Sequence, residues 1–395
     1  MKVCDLTQFY SPVSGGVKRY LGEKRRFIGR SGGRHQHVLV VPGERSARED
    51  GECGRCYTIG SPLLSRSSRY RALLNLHAVE EILEAERPDV IESGDPYQMA
   101  WKALASGRGL GIPVVAFYHS HFPEAYLRTT LKYFGRAATE FALDLSRRYI
   151  LALYSRFAAT MVPSRALAEL LGQWGVPRLR PLDLGVDCGV FRPEPDDAAA
   201  TRRRLGIPDG RILLLYVGRL ALEKNTRTLF AAFRELAARR PPRYHLLVVG
   251  DGNQRHHLER LEADTGCVTR LAYCGDPGEL AAIYRAADVF VHPGVLETFG
   301  LVALEAQACG TPVVGIKGSY MDRIIFSDQS HWAAENSPAA LAAAVARLAR
   351  RDPSSEGQAI SRQVHSKFSW DAVFGRQFAL YDEIVDGFGG RRRAG

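Results

Sequence analysis

Short apolar runs alternate with stretches of helical periodicity along most of the chain. In the first half, four apolar runs predict buried β-strands: Met1–Leu6, His37–Pro42, Asp89–Glu92 and Val114–Tyr118. Between these runs, apolar residues recur at the spacing of an amphipathic helix in three stretches: Val17–Ile28, Arg71–Ala85 and Tyr97–Ala105.

The second half of the chain repeats this alternation. Five apolar runs predict strands: Ile212–Val217, His245–Val249, Thr269–Tyr273, Val289–His292 and Pro312–Ile316. Helical spacing fills the gaps between them: Thr226–Arg239, Gln254–Asp264, Gly278–Ala287 and Leu301–Cys309. Two further helices are predicted near the end of the chain, over Pro338–Arg350 and Trp370–Val385.

Strands that are continuous apolar runs are typical of parallel sheets whose two faces are covered by helices. The pattern therefore predicts the α/β class, with two Rossmann-like doubly wound domains over residues 1–185 and 186–369. Their boundary falls in a stretch rich in proline and charge, which is typical of a linker. Since such sheets bind ligands at the carboxyl ends of their strands, we expect a site in a cleft where both sets of ends face each other.

Composition excludes several classes of protein. The 395-residue chain is 46% hydrophobic, which is enough for sizeable cores and excludes disorder as the dominant state. No apolar run reaches the roughly 18 residues of a membrane-spanning helix, and the first residues lack the features of a signal peptide. Seven cysteines spread along the chain do not indicate a disulfide framework. We therefore expect a reduced, cytoplasmic enzyme.

Positive charge is concentrated in the first half. The formal net charge is +10, of which residues 1–185 carry +8. Such an excess favours an anionic partner, either a nucleotide phosphate, a nucleic acid or a membrane surface. The charges are scattered, and no helix-turn-helix, zinc-finger or RNA-binding signature accompanies them. We therefore expect no nucleic-acid partner.

Two cations follow the first strand of the second half. The strand ends at Gly218, and Arg219 and Lys224 come before the next helix. A planar guanidinium beside an ammonium suits the two phosphates of a diphosphate, although two solvated charges at a turn would show the same pattern. Gly250, in the next strand-to-helix turn, lets the backbone approach a ligand.

The loop and helix after the fourth strand of the second half carry two acids. Glu297 lies in the loop, and the helix begins near Gly300, whose neighbouring amides suit a phosphate. Glu305 stands in an otherwise apolar helix, where a carboxylate is costly to bury unless it is hydrogen-bonded. Ribose hydroxyls are suitable partners, and a structural bond to the backbone is the alternative.

Two features of the first half also follow strands. Gly15 and Gly16 open the first helix, where they permit a tight turn over a ligand. His119 follows the strand Val114–Tyr118, at the edge where a ligand crevice is expected. A purely structural histidine would occupy the same place equally well.

Together these motifs resemble those of the retaining glycosyltransferases of family 4, which have the GT-B fold. The resemblance covers nearly the whole chain, and its segments are Gly15-Gly16-Val17, Tyr118-His119-Ser120-His121, Val162-Pro163-Ser164, Gly185-Val186-Asp187, Gly218-Arg219 with Glu223-Lys224, and Glu297 and Glu305 running on to Val314. The last of these segments is the most specific.

The resemblance implies roles for individual residues. Arg219 and Lys224 would hold the donor diphosphate, and Glu305 the ribose. Glu297 would contact the transferred sugar, with His119 near the C6 side of that sugar. The remaining residues expected in the donor site are Gly15, Gly16, Gly218, Gly250, Phe299, Gly300 and Leu301.

The family also implies that no bound metal or other cofactor is needed, and that a C-terminal helix at about 370–390 packs back onto the first domain. Fixed cations can stabilise the charge that builds on the departing diphosphate. One stretch departs from the family: Lys317-Gly318-Ser319-Tyr320 stands where a Gly-Gly pair and a longer loop are usual. That stretch normally lies beside the donor sugar.

These observations predict a retaining hexosyltransferase that moves mannose or glucose from GDP-mannose or a UDP-hexose to a hydroxyl of a lipid or saccharide. The stretch Leu127–Ala158, with arginines among Leu, Phe and Tyr, is a candidate for peripheral contact with the inner membrane face. A solvated helix over the sheet is the alternative. Two other functions stay open: a nucleotide-sugar epimerase or hydrolase, and a non-catalytic nucleotide-sugar-binding protein.

Overall fold

The computed structural model describes residues 1–10, 16–64, 69–119, 135–194, 198–238, 241–295, 299–319, 321, 324–326, 329–350 and 353–393. The chain divides into two compact units. Unit 1 comprises Met1–Leu184 together with Trp370–Gly395, and unit 2 comprises Gly185–Ser369. The last helix of the chain therefore belongs to the same unit as the first strand.

Unit 1 contains an eight-stranded sheet in the order β3-β4-β2-β1-β5-β6-β7-β8. Its strands are β1 (Lys2–Leu6), β2 (Gln36–Gly43), β3 (Ala47–Gly51), β4 (Gly54–Gly60), β5 (Val90–Ser93), β6 (Val114–Phe117), β7 (Ala159–Val162) and β8 (Leu179–Pro181). Only the pair β3–β4 is antiparallel among the described strand pairs of this unit. The described helices of unit 1 are Gly16–Arg30, Leu76–Glu86, Gln98–Leu110, Arg136–Tyr154, Arg165–Gln173 and Trp370–Arg393, the final helix.

Unit 2 contains a five-stranded parallel sheet in the order β11-β10-β9-β12-β13. Its strands are β9 (Ile212–Val217), β10 (Tyr244–Val249), β11 (Val268–Leu271), β12 (Val289–Val291) and β13 (Val313–Val314). Its described helices are Ala198–Arg204, Thr226–Ala237, Arg255–Thr265, Pro277–Ala286, Leu301–Ala308, Pro338–Leu348 and Pro353–Phe368, with 3₁₀ turns at Leu222–Lys224 and Gln329–His331.

The central strands are buried on both faces, as their continuous apolar sequences predict. Every residue of β5, β6, β7 and β10 is buried. This burial leaves no solvent-facing side of the sheet along these strands, and helices cover it instead. The predicted α/β class with two parallel sheets is confirmed.

Several elements of the structure were not predicted from the sequence, namely the strands β3, β4, β7 and β8 and the helices Arg165–Gln173 and Ala198–Arg204. The helix predicted over Arg71–Ala85 begins only at Leu76, because the Asn75 side chain accepts a hydrogen bond from the Ala78 amide and caps the helix there. The strand β3 has no counterpart in the predicted pattern, since its sequence is polar and every residue is exposed. As a charged edge strand, it protects the sheet from further pairing.

A buried polar cluster attaches the final helix to the sheet of unit 1. The Lys24 ammonium, fully buried, lies 2.8 Å from Asp5 Oδ1 on β1 and 3.2 Å from Glu92 Oε2 on β5. It also donates a 2.8 Å hydrogen bond to the Tyr381 hydroxyl on the final helix. Gln377, one turn earlier, donates to Glu92 Oε2 at 2.9 Å. Because a buried charge is costly unless it is paired, these bonds specify how the final helix docks within the unit.

Burial raises the pKa of the Glu92 carboxyl from 4.5 to about 7. Because this folded-state pKa lies above the unfolded value, the stabilising contribution of Glu92 is present below about pH 4.5 and is lost as the pH rises through 7. The substitution Glu92→Gln removes this titration. We expect the free energy of unfolding of the wild type, relative to Glu92→Gln, to fall by about 3 kcal/mol between pH 4.5 and 8. Urea unfolding across that range measures it, and parallel pH profiles of the two proteins would contradict the assignment.

Candidate active site

The carboxyl ends of three strands lie side by side at one edge of the unit 2 sheet. Strand β9 pairs with β10 on one side and β12 on the other, and all three run in the same direction. The chain adds β10 and β11 on one side of β9 and then places β12 and β13 on the other side, so a topological switch point lies between β9 and β12. Doubly wound sheets bind their ligands at such a point.

The turns after β9 and β10 are joined by their backbones. The Gly218 amide donates to the Val249 carbonyl at 3.0 Å, and the Leu220 amide donates to the Asp251 carbonyl at 3.0 Å. At Gly250, with φ of +139°, an added Cβ would lie 2.1 Å from the Gly218 carbonyl oxygen. Any side chain at position 250 would therefore separate the two turns, which gives this glycine a structural role beside the predicted approach of a ligand.

The two predicted diphosphate-binding cations lie after β9. Arg219 is exposed, and its guanidinium forms a 2.9 Å ion pair with Glu223, four residues along. Lys224 is half-buried at the end of the 3₁₀ turn Leu222–Lys224. Both cations therefore belong to one short segment that follows β9, with the Arg219 guanidinium paired to Glu223.

Asn225, which the sequence motifs did not single out, holds this segment to two others. Its backbone is left-handed, with φ of 55°. The side-chain amide donates to the Pro293 carbonyl after β12 and to Asn336 Oδ1, each at 2.8 Å, and Oδ1 accepts from the Thr228 hydroxyl at 2.8 Å. The only sequence signal was the preference of asparagine for left-handed turns.

The helix Leu301–Ala308 begins at the same edge. Its N-cap is Gly300, whose φ of 77° is left-handed and whose carbonyl accepts from the Ala303 amide at 3.0 Å. The first amides of a helix have no partner within the helix, so they suit an anion. The Phe299 ring is buried, with its centroid 6.4 Å from that of Phe368, so its side chain has a packing role. Leu301 is half-buried at the first turn.

Glu305 lies further along this helix with only 2% of its surface exposed. Its Oε2 accepts a 3.0 Å hydrogen bond from the hydroxyl of Tyr284, a fully buried residue on the helix Pro277–Ala286. The sequence predicted that a buried Glu305 would need a hydrogen-bond donor, but it did not identify Tyr284 as that donor. The structural alternative had expected a bond between Glu305 and the backbone.

In unit 1, His119 follows β6 and is enclosed by aromatic rings. It stacks on Phe117, with ring centroids 4.3 Å apart and planes at 12°. It also contacts Tyr20 in a T-shaped arrangement, with ring centroids 5.0 Å apart. Burial lowers the pKa of the His119 imidazole to about 3. The ring is therefore neutral at physiological pH. It can donate one hydrogen bond and accept another, but it supplies no positive charge.

The carboxyl edge of unit 1 holds a second buried acid that the sequence motifs missed. Asp95 follows β5 and accepts backbone hydrogen bonds from Gln8 at 2.6 Å and from Tyr97 at 3.2 Å. Burial raises the pKa of the Asp95 carboxyl to about 6. Both of its oxygens serve to join the loops after β1 and β5. Gly16, at the start of the first helix, is exposed.

Several predicted residues lie outside the described part of the chain: Gly15, Ser120, His121, Glu297 and Tyr320. Ser319, in the stretch that departs from the family pattern, is buried. Among the described residues, no group of three His, Cys, Asp or Glu side chains is arranged to hold a metal ion. Nor does any helix in the described ranges combine the length and apolar character needed to cross a bilayer.

Comparisons with known protein families match both halves of the chain. The model for glycosyltransferase family 4 matches residues 14–190, and the model for glycosyl transferases group 1 matches residues 197–361. A GDP-mannose-dependent alpha-(1-6)-phosphatidylinositol dimannoside mannosyltransferase of Mycobacterium tuberculosis is 31% identical over 94% of this chain and 93% of its own. A GDP-mannose-dependent alpha-mannosyltransferase of Mycolicibacterium smegmatis is 34% identical over 80% of this chain and 79% of its own.

Solved structures show the same fold. Sucrose-phosphate synthase from Thermosynechococcus elongatus superposes with a TM-score of 0.76 at 21% identity, covering 98% of this chain and 99% of the other. Anabaena Alr3699/HepE in complex with UDP gives a TM-score of 0.71 at 16% identity, covering 97% and 99%.

The fold is thus GT-B, and the chain belongs to glycosyltransferase family 4. It is a glycosyltransferase of the hexosyltransferase class with a nucleotide-sugar donor. The family resemblance seen in the motifs is confirmed.

Asn225 provides a test of the local geometry at this site. Asn225→Gly keeps the left-handed backbone but removes the bonds to Pro293 and Asn336, whereas Asn225→Ala removes the same bonds and adds backbone strain. We expect both variants to be less stable than the wild type, with Asn225→Ala about 1 kcal/mol below Asn225→Gly. Urea unfolding followed by circular dichroism gives the order. Equal stability of the alanine and glycine variants would show that the backbone is not left-handed here.

Proposed function

We propose that unit 2 binds a nucleoside diphosphate hexose at the carboxyl edge of its sheet and that the enzyme transfers the hexose with retention of configuration. The observation that carries the proposal is the convergence of four features after β9, β10 and β12. These features are the segment with Arg219 and Lys224, the close turn at Gly250, the helix start at Gly300 and the buried Glu305.

Three of these features suit particular groups of the donor. The guanidinium and the ammonium suit the diphosphate, and the first amides of the helix after Gly300 add further donors to phosphate oxygens. The Glu305 carboxylate suits the ribose hydroxyls, which donate hydrogen bonds. Glu297 and His119 stay predicted contacts of the transferred sugar. The site would bind the donor through charge and backbone amides, with no metal or other cofactor.

The donor is proposed to be GDP-mannose, with a UDP-hexose as the second choice. The two mannosyltransferases compared above are named as GDP-mannose-dependent, and they match over most of this chain. Relatives of lower coverage include D-inositol 3-phosphate glycosyltransferases, and the HepE structure holds UDP. All of these relatives support a nucleotide-sugar donor. The two GDP-mannose-dependent mannosyltransferases favour guanine as the base of the nucleotide.

The mechanism follows from where charge builds in the transition state. The bond between the anomeric carbon and the diphosphate oxygen breaks, and both electrons leave with the diphosphate. Arg219 and Lys224 stabilise this leaving group. The acceptor oxygen forms its bond to the anomeric carbon from the same face, and the acceptor proton passes to the departing phosphate oxygen.

The acceptor is proposed to be a hydroxyl of a lipid or saccharide, received by unit 1. The helix Arg136–Tyr154 of this unit exposes 72% of Phe141 and 59% of Leu145, one turn apart. Exposed apolar side chains on a helix with several arginines support peripheral contact with a lipid surface. A lipid acceptor would be presented to the enzyme at such a surface.

Lys224→Ala tests the proposal. Removing this ammonium takes away one of the two cations beside the breaking bond, so we expect transfer to fall at least a hundredfold while the protein keeps its circular dichroism spectrum. Transfer from GDP-mannose or UDP-glucose to octyl α-mannoside, followed by NMR, reports both turnover and the anomeric configuration of the product.

Arg234→Ala is the matched control. Arg234 also lies in unit 2, where its guanidinium forms an exposed ion pair with Asp264. Removing this side chain should leave transfer unchanged, because exposed ion pairs contribute little. Substantial activity of Lys224→Ala, or an inverted anomeric centre in the wild-type product, would refute the proposal. Conversion of the donor in the absence of any acceptor would favour the epimerase or hydrolase alternative instead.

A further inference from the structure

We propose that Tyr284 is a positioning residue for donor binding, because its hydroxyl fixes the Glu305 carboxylate in the orientation that receives the ribose. The inference rests on the proposed function, in which Glu305 holds the ribose. Tyr284 lies on a different helix, 21 residues earlier in the chain, and no sequence motif connected it with the site.

The contact is short and shielded from water. The Tyr284 hydroxyl donates to Glu305 Oε2 at 3.0 Å, and the two residues are 0% and 2% exposed. Low exposure removes the competition from solvent, so this hydrogen bond is stronger than the same bond at the surface. The contact can therefore hold a carboxylate orientation that a solvated glutamate would not keep.

Tyr284 is itself held on several sides, so it acts as the fixed partner. Its ring lies between those of Phe191 and Phe290, with centroid distances of 6.0 Å and 5.7 Å. The Thr311 hydroxyl donates to the Tyr284 carbonyl at 2.6 Å and fixes the end of the helix Pro277–Ala286. The phenol cannot follow a movement of Glu305, whereas the glutamate side chain has three rotatable bonds.

Glu305 lies in a largely apolar stretch of its helix. Its neighbours along the helix are apolar and buried, namely Ala303, Leu304, Ala306 and Ala308. A binding group must be held within about 0.5 Å of its productive position to be effective. A buried donor on a rigid neighbouring helix meets that requirement for Glu305.

The test measures discrimination for ribose hydroxyls rather than affinity alone. GDP and 2′,3′-dideoxy-GDP are titrated calorimetrically into the full-length wild type, Tyr284→Phe and Glu305→Gln, with the UDP pair in parallel. The readout is the ratio of the dissociation constant of the dideoxy nucleotide to that of the ribonucleotide. We expect Tyr284→Phe to lower this ratio about tenfold, the order of magnitude of one lost hydrogen bond, with little change in dideoxynucleotide affinity.

Two variants serve as controls. Tyr244→Phe removes a hydroxyl from another buried tyrosine of unit 2, at the opposite end of strand β10, and should leave the ratio unchanged. If Tyr284→Phe does not fold, Thr311→Val removes the bond that fixes the end of the tyrosine's helix and should lower the ratio in the same direction, by a smaller factor.

The outcomes distinguish the role of Tyr284 from the role of Glu305. A ratio lowered by both Glu305→Gln and Tyr284→Phe supports the inference. A ratio lowered by Glu305→Gln but unchanged in Tyr284→Phe overturns the positioning role and leaves the proposed function intact. A ratio unchanged in Glu305→Gln overturns the ribose assignment itself, and the role of Tyr284 with it. An equal loss of affinity for both nucleotides in Tyr284→Phe would indicate a merely structural role and overturn the inference.

Discussion

Parallel pairing is the constraint on which the candidate site depends. Because β9, β10 and β12 run in the same direction, the chain must leave all three strands at one edge of the sheet. Each exit is a turn into a helix, and each turn brings backbone amides to that edge. The close contact of Gly250 with Gly218 and the bond from Asn225 to Pro293 then join these turns into one surface.

The strands and helices of the fold were largely predictable, since their signal is local. The run Ile212–Val217 was predicted with the bounds that the structure has, and the fully buried β10 was predicted within one residue. The strands β4, β7 and β8 and the helices Arg165–Gln173 and Ala198–Arg204 were missed. Two other differences have clear physical causes. A cap at Asn75 shortened one helix, and β3 is polar and exposed, so neither its periodicity nor its hydrophobicity distinguishes it from a loop.

The contacts that hold the functional residues were not predictable, because they join residues far apart in sequence. Lys24 stands in a strongly basic stretch that suggests an exposed face, yet it is buried between Asp5 and Glu92. The tyrosine bound to Glu305 comes from another helix, and its phenol carries no motif. Motifs therefore predicted a donor edge with Arg219, Lys224 and Glu305, whereas the contacts that hold these residues could be read only from the coordinates.

Hydrogen–deuterium exchange with and without a nucleoside diphosphate can show whether this edge of unit 2 binds the donor. Saturating GDP or UDP is expected to slow amide exchange in three segments of unit 2, which are the turn after β9 through Asn225, the turn after β10 and the start of the helix Leu301–Ala308. Protection found only elsewhere, or none in these three segments despite saturation, would contradict the claim that this edge of the sheet binds the donor.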